Sequence, residues 1–220
     1  PRPAIQTYHG DFIDFYFGET LSTEVSQLTR QNSCTPYMAL LALFKILLSK
    51  YSNQNDICVG SAIANRNREA IEPLVGFFVN TLVLRTIISE NDSFQSIFEK
   101  VKRAALDAYA HQDLPFEQLV EEINPARNSS HSPLFQVMFN MQNAPKADLD
   151  LPGVKLRGVE SDQSVAKFDL TLNITETNEG LLGRFTYNTD LFNRTTIERM
   201  VNHFLCVVKT ATMDDSLALN

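Results

Sequence analysis

The apolar residues along the chain follow two spacings, one typical of helices and one of strands. Helical spacing covers the segments 22–31, 35–51, 92–106, 115–123 and 193–208. Compact apolar runs predict strands at 12–17, 57–64, 77–88, 134–141, 154–159, 168–176 and 181–188. Helices and strands are interspersed without strict alternation. We therefore expect an α/β (α+β) fold in which helices cover a mixed β-sheet.

Local signals define several of these boundaries. Thr35-Pro36 is a strong helix start, because Thr caps free N–H groups and Pro fits the first turn. The helix that follows is apolar on all sides, which indicates that it is buried. Asn178-Glu179-Gly180 predicts a hairpin turn between the last two strands.

The composition is that of a globular chain. Its 220 residues are 44% hydrophobic and 20% charged, enough for one large domain or two small ones. A net charge of −7 without a Lys/Arg cluster speaks against nucleic acid and against an anionic membrane as partners. The longest nearly apolar run, 37–48, contains Lys45 and is too short to cross a bilayer. Three scattered cysteines fit a reducing, cytoplasmic location better than a disulfide framework.

The first segment with unusual chemistry is 75–85, where the polar pair Asn80-Thr81 interrupts an apolar strand. Buried polar side chains cost free energy unless they find hydrogen-bond partners. The pair is therefore either a satisfied structural feature or the lining of a cleft, and the pattern leaves both open.

The second segment, 111–117, stands at a helix start and reads HQDLPFE. Asp113 could cap that helix and orient His111. A metal site built from His111, Asp113 and Glu117 is disfavoured, because their spacing does not put three ligands on one face. Capping is the preferred interpretation.

The third segment, 127–134, is a polar turn that leads into a strand. His131 lies among three serines, which invites comparison with a catalytic triad. The triad is disfavoured, because no Gly-x-Ser-x-Gly elbow is present and serines are common in loops.

In this order, the three segments resemble the C-terminal half of the condensation domains of non-ribosomal peptide synthetases. The first is similar to the family motif [IV]-G-x-F-V-N-T-x-x-x-R, with matches at Gly76, Phe78, Val79, Asn80, Thr81 and Arg85. The second matches all fixed positions of [HN]-Q-D-x-P-F-E. The third resembles R-D-x-S-R-N-P-L but keeps only Arg127, Ser130, Pro133 and Leu134. Upstream, Asn65 replaces the Gly that usually precedes Arg in the family.

The resemblance implies one chloramphenicol-acetyltransferase-like lobe over residues 1–220, half of a V-shaped domain. In the family, the N-terminal lobe carries a catalytic His-His-x-x-x-Asp-Gly motif, which this sequence lacks. Peptidyl carrier proteins bring both substrates to the channel on phosphopantetheine arms, and an amide bond joins them. The implied partners are these carrier proteins, the N-terminal lobe and a neighbouring adenylation domain, with no directly bound cofactor. The sequence starts at Pro1 rather than Met, and we expect an excised lobe that is inactive alone.

The resemblance also implies roles for individual residues. Channel-lining or positioning roles fall to Asn80, Thr81 and, on the preceding small-residue strand, Ser61. Structural roles fall to Gly76, Phe78, Arg85, His111, Asp113 and Arg127, with Arg85 as an ion-pair partner. A strand from within 143–180 is expected to latch the other lobe. No residue of this chain is expected to be catalytic or to bind a metal.

Two alternatives stay open. The chain could be a standalone docking module for carrier proteins, although both carrier proteins and this chain are acidic. It could also be a lobe of a related epimerisation or heterocyclisation domain, but the first two motifs favour an ordinary condensation domain.

Overall fold

The computed structural model describes residues 2–66, 71, 74–126, 128–142 and 164–219. Its strands are β1 (His9–Tyr16), β2 (Asp56–Ile63), β3 (Asn80–Ile87), β4 (Val137–Gln142), β5 (Ser164–Val165), β6 (Leu170–Thr177) and β7 (Gly180–Asn188). Its helices are α1 (Gly18–Gln31), α2 (Pro36–Ser52), α3 (Phe94–Ala110), α4 (Phe116–Ile123) and α5 (Arg194–Met213). Arg127, the predicted strand at 154–159 and much of the predicted latch segment lie outside the described residues.

The described strands form one sheet in the order β3-β2-β4-β6-β7-β1-β5. The sheet is mixed because β4 runs parallel to both neighbours, whereas the other described pairs are antiparallel. β4 pairs with β2 only at Gly60↔Met138. Gly60 is needed there, since a Cβ would lie 2.2 Å from the ring of Phe135. The predicted fold class and the hairpin at 178–180 are confirmed.

Helices α1, α2, α3 and α5 form a layer on one face of the sheet. Helix α2 lies at the centre of this layer and is buried along most of its length. It begins as predicted, because Thr35 Oγ1 accepts a hydrogen bond from the Met38 N–H at 3.2 Å. The ring of Phe44 packs against Phe139 of β4 and Phe185 of β7, so the core joins the helix layer to the middle of the sheet.

One charged side chain lies inside this core. Lys45 of α2 is 0% exposed, and its Nζ donates to the Leu84 carbonyl at 2.8 Å and to Thr86 Oγ1 at 2.7 Å. Desolvation lowers the pKa of this ammonium from 10.5 to about 7. The chain thus contains a buried basic group on the central helix.

The alternation of side chains along the strands leaves a second face without these helices. Leu172, Leu84 and Phe185 point into the helix layer and are buried. Their strand neighbours Asn173 and Arg184 point to the opposite side and are half-buried and exposed, respectively. We call this opposite side the open face.

Candidate functional site

Asn80 ties the first two motifs together. It is the first residue of β3 and not the middle of a buried strand as predicted, because the ladder starts three residues after the apolar run begins at 77. Its Nδ2 donates to the carbonyls of Gln112 and Leu114, both at 2.8 Å. Its Oδ1 accepts the N–H of Thr81 at 2.8 Å and that of Phe116 at 3.1 Å. The amide is fully hydrogen-bonded and holds the second motif against the start of β3.

The hydrogen-bond acceptor at the N-terminus of helix α4 comes from strand β3. Its N-cap residue is Pro115, which has no capping side chain, and Asn80 binds the N–H of Phe116 instead. The cap predicted at Asp113 therefore comes from Asn80, while Asp113 is exposed at the groove described below. His111 ends α3, where its Nδ1 donates to the Asp107 carbonyl at 2.8 Å.

The two motifs enclose an open groove of about 310 Å³. Its lining comprises Asn65, Phe77, Phe78, Val79, Asn80, Thr81, Asp113, Pro115, Phe116 and Glu117. The ring of Phe116 packs on Phe135 with centroids 5.6 Å apart, which anchors α4 beside the groove. Asn80 and Thr81 both line a cleft, and their predicted part in positioning substrate stays a prediction.

The chain that leads into β3 exposes a row of apolar side chains, which we call the apolar ridge. Its members and their exposed fractions are Leu74 (51%), Val75 (104%), Phe77 (92%) and Val79 (51%). Phe78 turns inward, and its ring centroid lies 4.3 Å from the Arg66 guanidinium. A Cβ on Gly76 would come within 3.0 Å of that ring. An exposed apolar patch of this kind is typical of a surface that another protein covers.

Asn65 has a backbone reason to replace glycine. Its φ is +51°, in the left-handed region that glycine adopts freely and asparagine best among the other residues. Its Oδ1 is buried beside the groove, and none of the described residues donates a hydrogen bond to it. The substitution therefore preserves the turn and adds an acceptor to the groove wall.

Ser61 does not lie where a channel-lining role requires. It points from β2 into the helix layer and is 1% exposed. Its hydroxyl is hydrogen-bonded to Tyr37, which is in turn hydrogen-bonded to Tyr109. Desolvation raises the pKa of Tyr37 well above its ordinary value, so this phenol stays neutral. The strand alternation explains the difference, since the open-face neighbours of Ser61 are Gly60 and Ala62.

Arg85 forms the ion pair expected of it. Its Nε and Nη2 donate to the carboxylate of Asp56 at 2.7–3.1 Å across the β2–β3 ladder. These hydrogen bonds lower the pKa of Asp56. Both side chains are exposed, so the pair is a surface feature of the sheet.

The third motif forms a turn whose described contacts differ from those of a triad. His131 Nδ1 lies 3.0 Å from the Ser132 carbonyl oxygen. The Ser129 hydroxyl donates to the Ala4 carbonyl at 2.9 Å. Neither contact joins the imidazole to a serine hydroxyl. The structural role predicted for Arg127 stays a prediction, because that residue lies outside the described part of the chain.

Two asparagines on the open face form a contact that was not predicted from the sequence. Asn140 of β4 accepts the Ala62 N–H at 3.2 Å and donates to Asn173 Oδ1 of β6 at 3.1 Å. The available signal is an outward-facing asparagine in each of two apolar strands. Their contact depends on the pairing of β4 with β6, which the sequence does not reveal.

Within the described ranges, no three His, Cys, Asp or Glu side chains are placed to hold a metal ion. None of the described helices is by itself long and apolar enough to span a membrane, although α1 and α2 pass that test as a pair bent by 102°.

Comparison with known proteins agrees with the motif geometry. The condensation domain family matches residues 1–219. Tyrocidine synthase 3 of Brevibacillus parabrevis is 43% identical over 218 residues, covering 99% of this chain and 3% of that protein. Malpinin synthetase of Mortierella alpina is 44% identical over 215 residues, covering 98% of this chain and 3% of that protein. The chain thus spans a few per cent of the length of these relatives.

Solved structures show the same fold. A holo four-domain nonribosomal peptide synthetase bound to AMP and glycine superposes with a TM-score of 0.89 at 25% identity, covering 100% of this chain and 18% of that one. The first condensation domain of the CDA synthetase gives a TM-score of 0.78 at 18% identity, covering 96% of this chain and 47% of that one. With a family match over nearly its whole length, this chain belongs to the condensation domain family of nonribosomal peptide synthetases.

Proposed function

We propose that this chain is the C-terminal lobe of a condensation domain that joins two carrier-protein-bound aminoacyl or peptidyl groups through an amide bond. The lobe supplies channel wall and docking surface for carrier proteins. A second lobe with the His-His-x-x-x-Asp-Gly motif supplies the proton-transfer group. The observation that carries the proposal is the groove in which Asn80 joins the two family motifs.

The assignment as half of a domain has two supports. The chain covers 50% of the X-domain from teicoplanin biosynthesis and 47% of the CDA synthetase condensation domain. The apolar ridge at 74–79 is the surface that a second lobe of similar size would cover, because its side chains gain free energy when removed from water.

The proposed reaction is aminolysis of a thioester. The acceptor amine attacks the thioester carbonyl, the C–N bond forms, and the C–S bond to the donor phosphopantetheine breaks. The amine proton passes to the imidazole of the second lobe and then to the departing thiolate. This lobe contributes position: Asn80 holds the shape of the groove, and Thr81 is part of its wall.

The test compares this chain alone with the complete two-lobe domain. Donor and acceptor carrier proteins are loaded with aminoacyl groups, and mass spectrometry detects the amide. We expect amide from the complete domain and none from this chain alone. Amide formed by this chain alone would overturn its assignment as half of a domain. Absence of amide from the complete domain would overturn the reaction.

A matched pair of variants tests the ridge. Phe77→Asp places a charge on the ridge, and Met213→Asp places one on an exposed apolar residue at the end of α5. With the two lobes produced as separate chains, we expect Phe77→Asp to weaken their association by more than about tenfold. Met213→Asp should leave it unchanged. Equal effects from both variants would exclude the ridge as the lobe interface.

A further inference from the structure

Strands β2 and β4 separate at their N-terminal ends. They are neighbours in the sheet, yet the only pair between them in the described residues is Gly60↔Met138. From Asp56 onwards β2 keeps its ladder with β3, and from Val137 onwards β4 keeps its ladder with β6. The sheet therefore has a gap between residues 56–58 and the start of β4, at the opposite end of β2 from the groove.

A strained turn precedes β4 at this gap. Leu134 has a φ of +64°, in the left-handed region that a bulky side chain rarely adopts. The N–H of Phe135 donates to the Pro133 carbonyl at 2.8 Å, which closes a tight turn centred on Leu134. Backbone strain of this kind costs free energy and persists only where the surrounding structure imposes it. The chain is therefore fixed in a path that leaves the gap open.

The gap leads into a cavity of about 510 Å³, a volume typical of small-molecule sites. The cavity reaches from the first residues of β2, β4 and β6 to the helix layer, where α2 and α5 close it. Its apolar walls are formed by Leu48, Ile57, Leu134, Val137, Phe192 and Met200. Its exposed lining residues include Tyr51, Ser52 and Gln54, which lie where the cavity meets solvent.

Two polar side chains of the lining already have hydrogen-bond partners within the chain. The Ser52 hydroxyl donates to the Leu48 carbonyl at 2.8 Å. The Nε2 of Gln136 donates to the Ser132 carbonyl at 3.1 Å. A ligand that took either donor would replace one hydrogen bond by another and gain little free energy. The cavity therefore offers a ligand mainly apolar contact.

The two carboxylates of the lining are each paired with an arginine. Arg85 donates to Asp56 at 2.7–3.1 Å, and Arg2 donates to both carboxylate oxygens of Asp169. A cationic ligand would compete with these guanidinium groups for the carboxylates. An anionic ligand would lie beside the carboxylates in a partly desolvated site, which is unfavourable. The distribution of charge thus favours an uncharged ligand.

We propose that this cavity binds a small, uncharged and apolar molecule, which fills the gap between β2 and β4 and contacts the helix layer. Binding removes apolar surface of the ligand and of the cavity walls from water. The proposal does not depend on amide formation, since the cavity shares no lining residue with the groove.

The test is a fluorescence titration of this chain with Nile red, an uncharged apolar dye that fluoresces more strongly in apolar surroundings. All proteins carry Phe77→Asp, so that the apolar ridge binds less dye. Val137→Phe places a ring in the cavity, and Val165→Phe, at an exposed position of β5, is the matched control. Far-UV circular dichroism and urea unfolding establish that each variant is folded.

We expect saturable binding of the dye, with a Kd that Val137→Phe raises at least about tenfold and Val165→Phe leaves unchanged. A folded Val137→Phe variant that binds the dye as well as its control would overturn the proposal. So would the lack of saturable binding to the protein without either valine substitution.

A second measurement decides the matter if Val137→Phe does not fold. Cys58 lines the cavity and is half-buried, whereas Cys206 is exposed on α5. Peptide mapping by mass spectrometry follows the alkylation of both thiols by N-ethylmaleimide. With the dye bound, we expect slower alkylation of Cys58 and an unchanged rate at Cys206. An unchanged rate at Cys58 would contradict binding in the cavity.

Displacement of the dye tests the chemical class of the ligand. Octanol, octanoate and octylammonium have the same chain length but carry no charge, a negative charge and a positive charge, respectively. We expect octanol to displace the dye at a concentration at least about tenfold lower than either ion. An ion that displaces the dye as effectively as octanol would overturn the assignment of an uncharged ligand.

Discussion

The buried ammonium of Lys45 makes the stability of the fold depend on pH in a specific window. Its pKa falls from 10.5 in water to about 7 in the folded chain, first because of desolvation. Between these values the unfolded chain binds a proton that the folded chain does not. The contribution of Lys45 to stability therefore rises with pH from about 7 to 10.5 and is lowest below about pH 7.

The magnitude follows from the width of this window. The unfolding constant changes by up to about tenfold per pH unit, so the full window corresponds to about 3–5 kcal/mol as an upper range. Lys45→Met removes the titration and also the two hydrogen bonds that Nζ donates to the Leu84 carbonyl and to Thr86 Oγ1, which costs about 1–3 kcal/mol at every pH. The diagnostic quantity is therefore the change with pH in the stability difference between the wild type and Lys45→Met.

The assay is urea unfolding at pH 7 and pH 9.5, followed by far-UV circular dichroism because the chain has no tryptophan. Subtraction of the variant removes the titration of Cys34, whose pKa is raised by desolvation. Both proteins carry Cys58→Ala, because the charge of Lys45 also acts on the pKa of that thiol. Lys50→Met, at an exposed position of the same helix, is the matched control. Between the two pH values, we expect the free energy of unfolding of the wild type to rise by at least about 2 kcal/mol relative to that of Lys45→Met. A difference that does not change with pH would refute the reasoning.

Three further substitutions test the geometry of the site. Asn80→Asp keeps the acceptor but loses both donated hydrogen bonds. Urea unfolding should therefore show that the free energy of unfolding falls by about 2–4 kcal/mol. Hydrogen exchange should show faster opening of the loop at 112–114. Gly60→Ala forces a Cβ against the ring of Phe135, and the same assay should show a loss of about 1–3 kcal/mol. Arg85→Gln breaks an exposed pair with Asp56, and we expect no measurable change in the urea midpoint.

Elements defined by local signals could be predicted from the sequence. The start of α2 at Thr35 and the hairpin at 178–180 depend on capping and turn chemistry within a few residues. The start of β3 could not be predicted in this way. The run from Phe77 reads as buried strand, yet its first three residues lie outside the ladder, and Phe77 and Val79 form part of the apolar ridge. An apolar run indicates that something covers it and does not specify whether the cover is the chain's own core.

Local sequence signals were also insufficient to predict the side-chain contacts of the candidate site. The motifs single out Asn80 and the segment 111–117, which are in contact in the structure, but the cap predicted at Asp113 comes from Asn80. Residues 80 and 116 are joined by a contact between distant parts of the chain, and no local rule predicts it. Ser61 differs from expectation for a related reason. Which face of the sheet it occupies depends on strand register, which distant pairings determine.

The degenerate third motif indicates how the chain tolerates changes in sequence there. The turn at 128–133 is held by the N-terminal segment, because the Ser129 carbonyl accepts the Gln6 N–H at 2.8 Å and the Ser129 hydroxyl binds the Ala4 carbonyl. Arg2 binds both carboxylate oxygens of Asp169, next to the same turn. These contacts involve backbone groups, residues outside the motif or Ser129 at its variable position, so the substitutions at its fixed positions leave them intact. The part of the motif that the fold requires is therefore the path of the backbone, and a charged side chain at position 131 is not needed to hold that path.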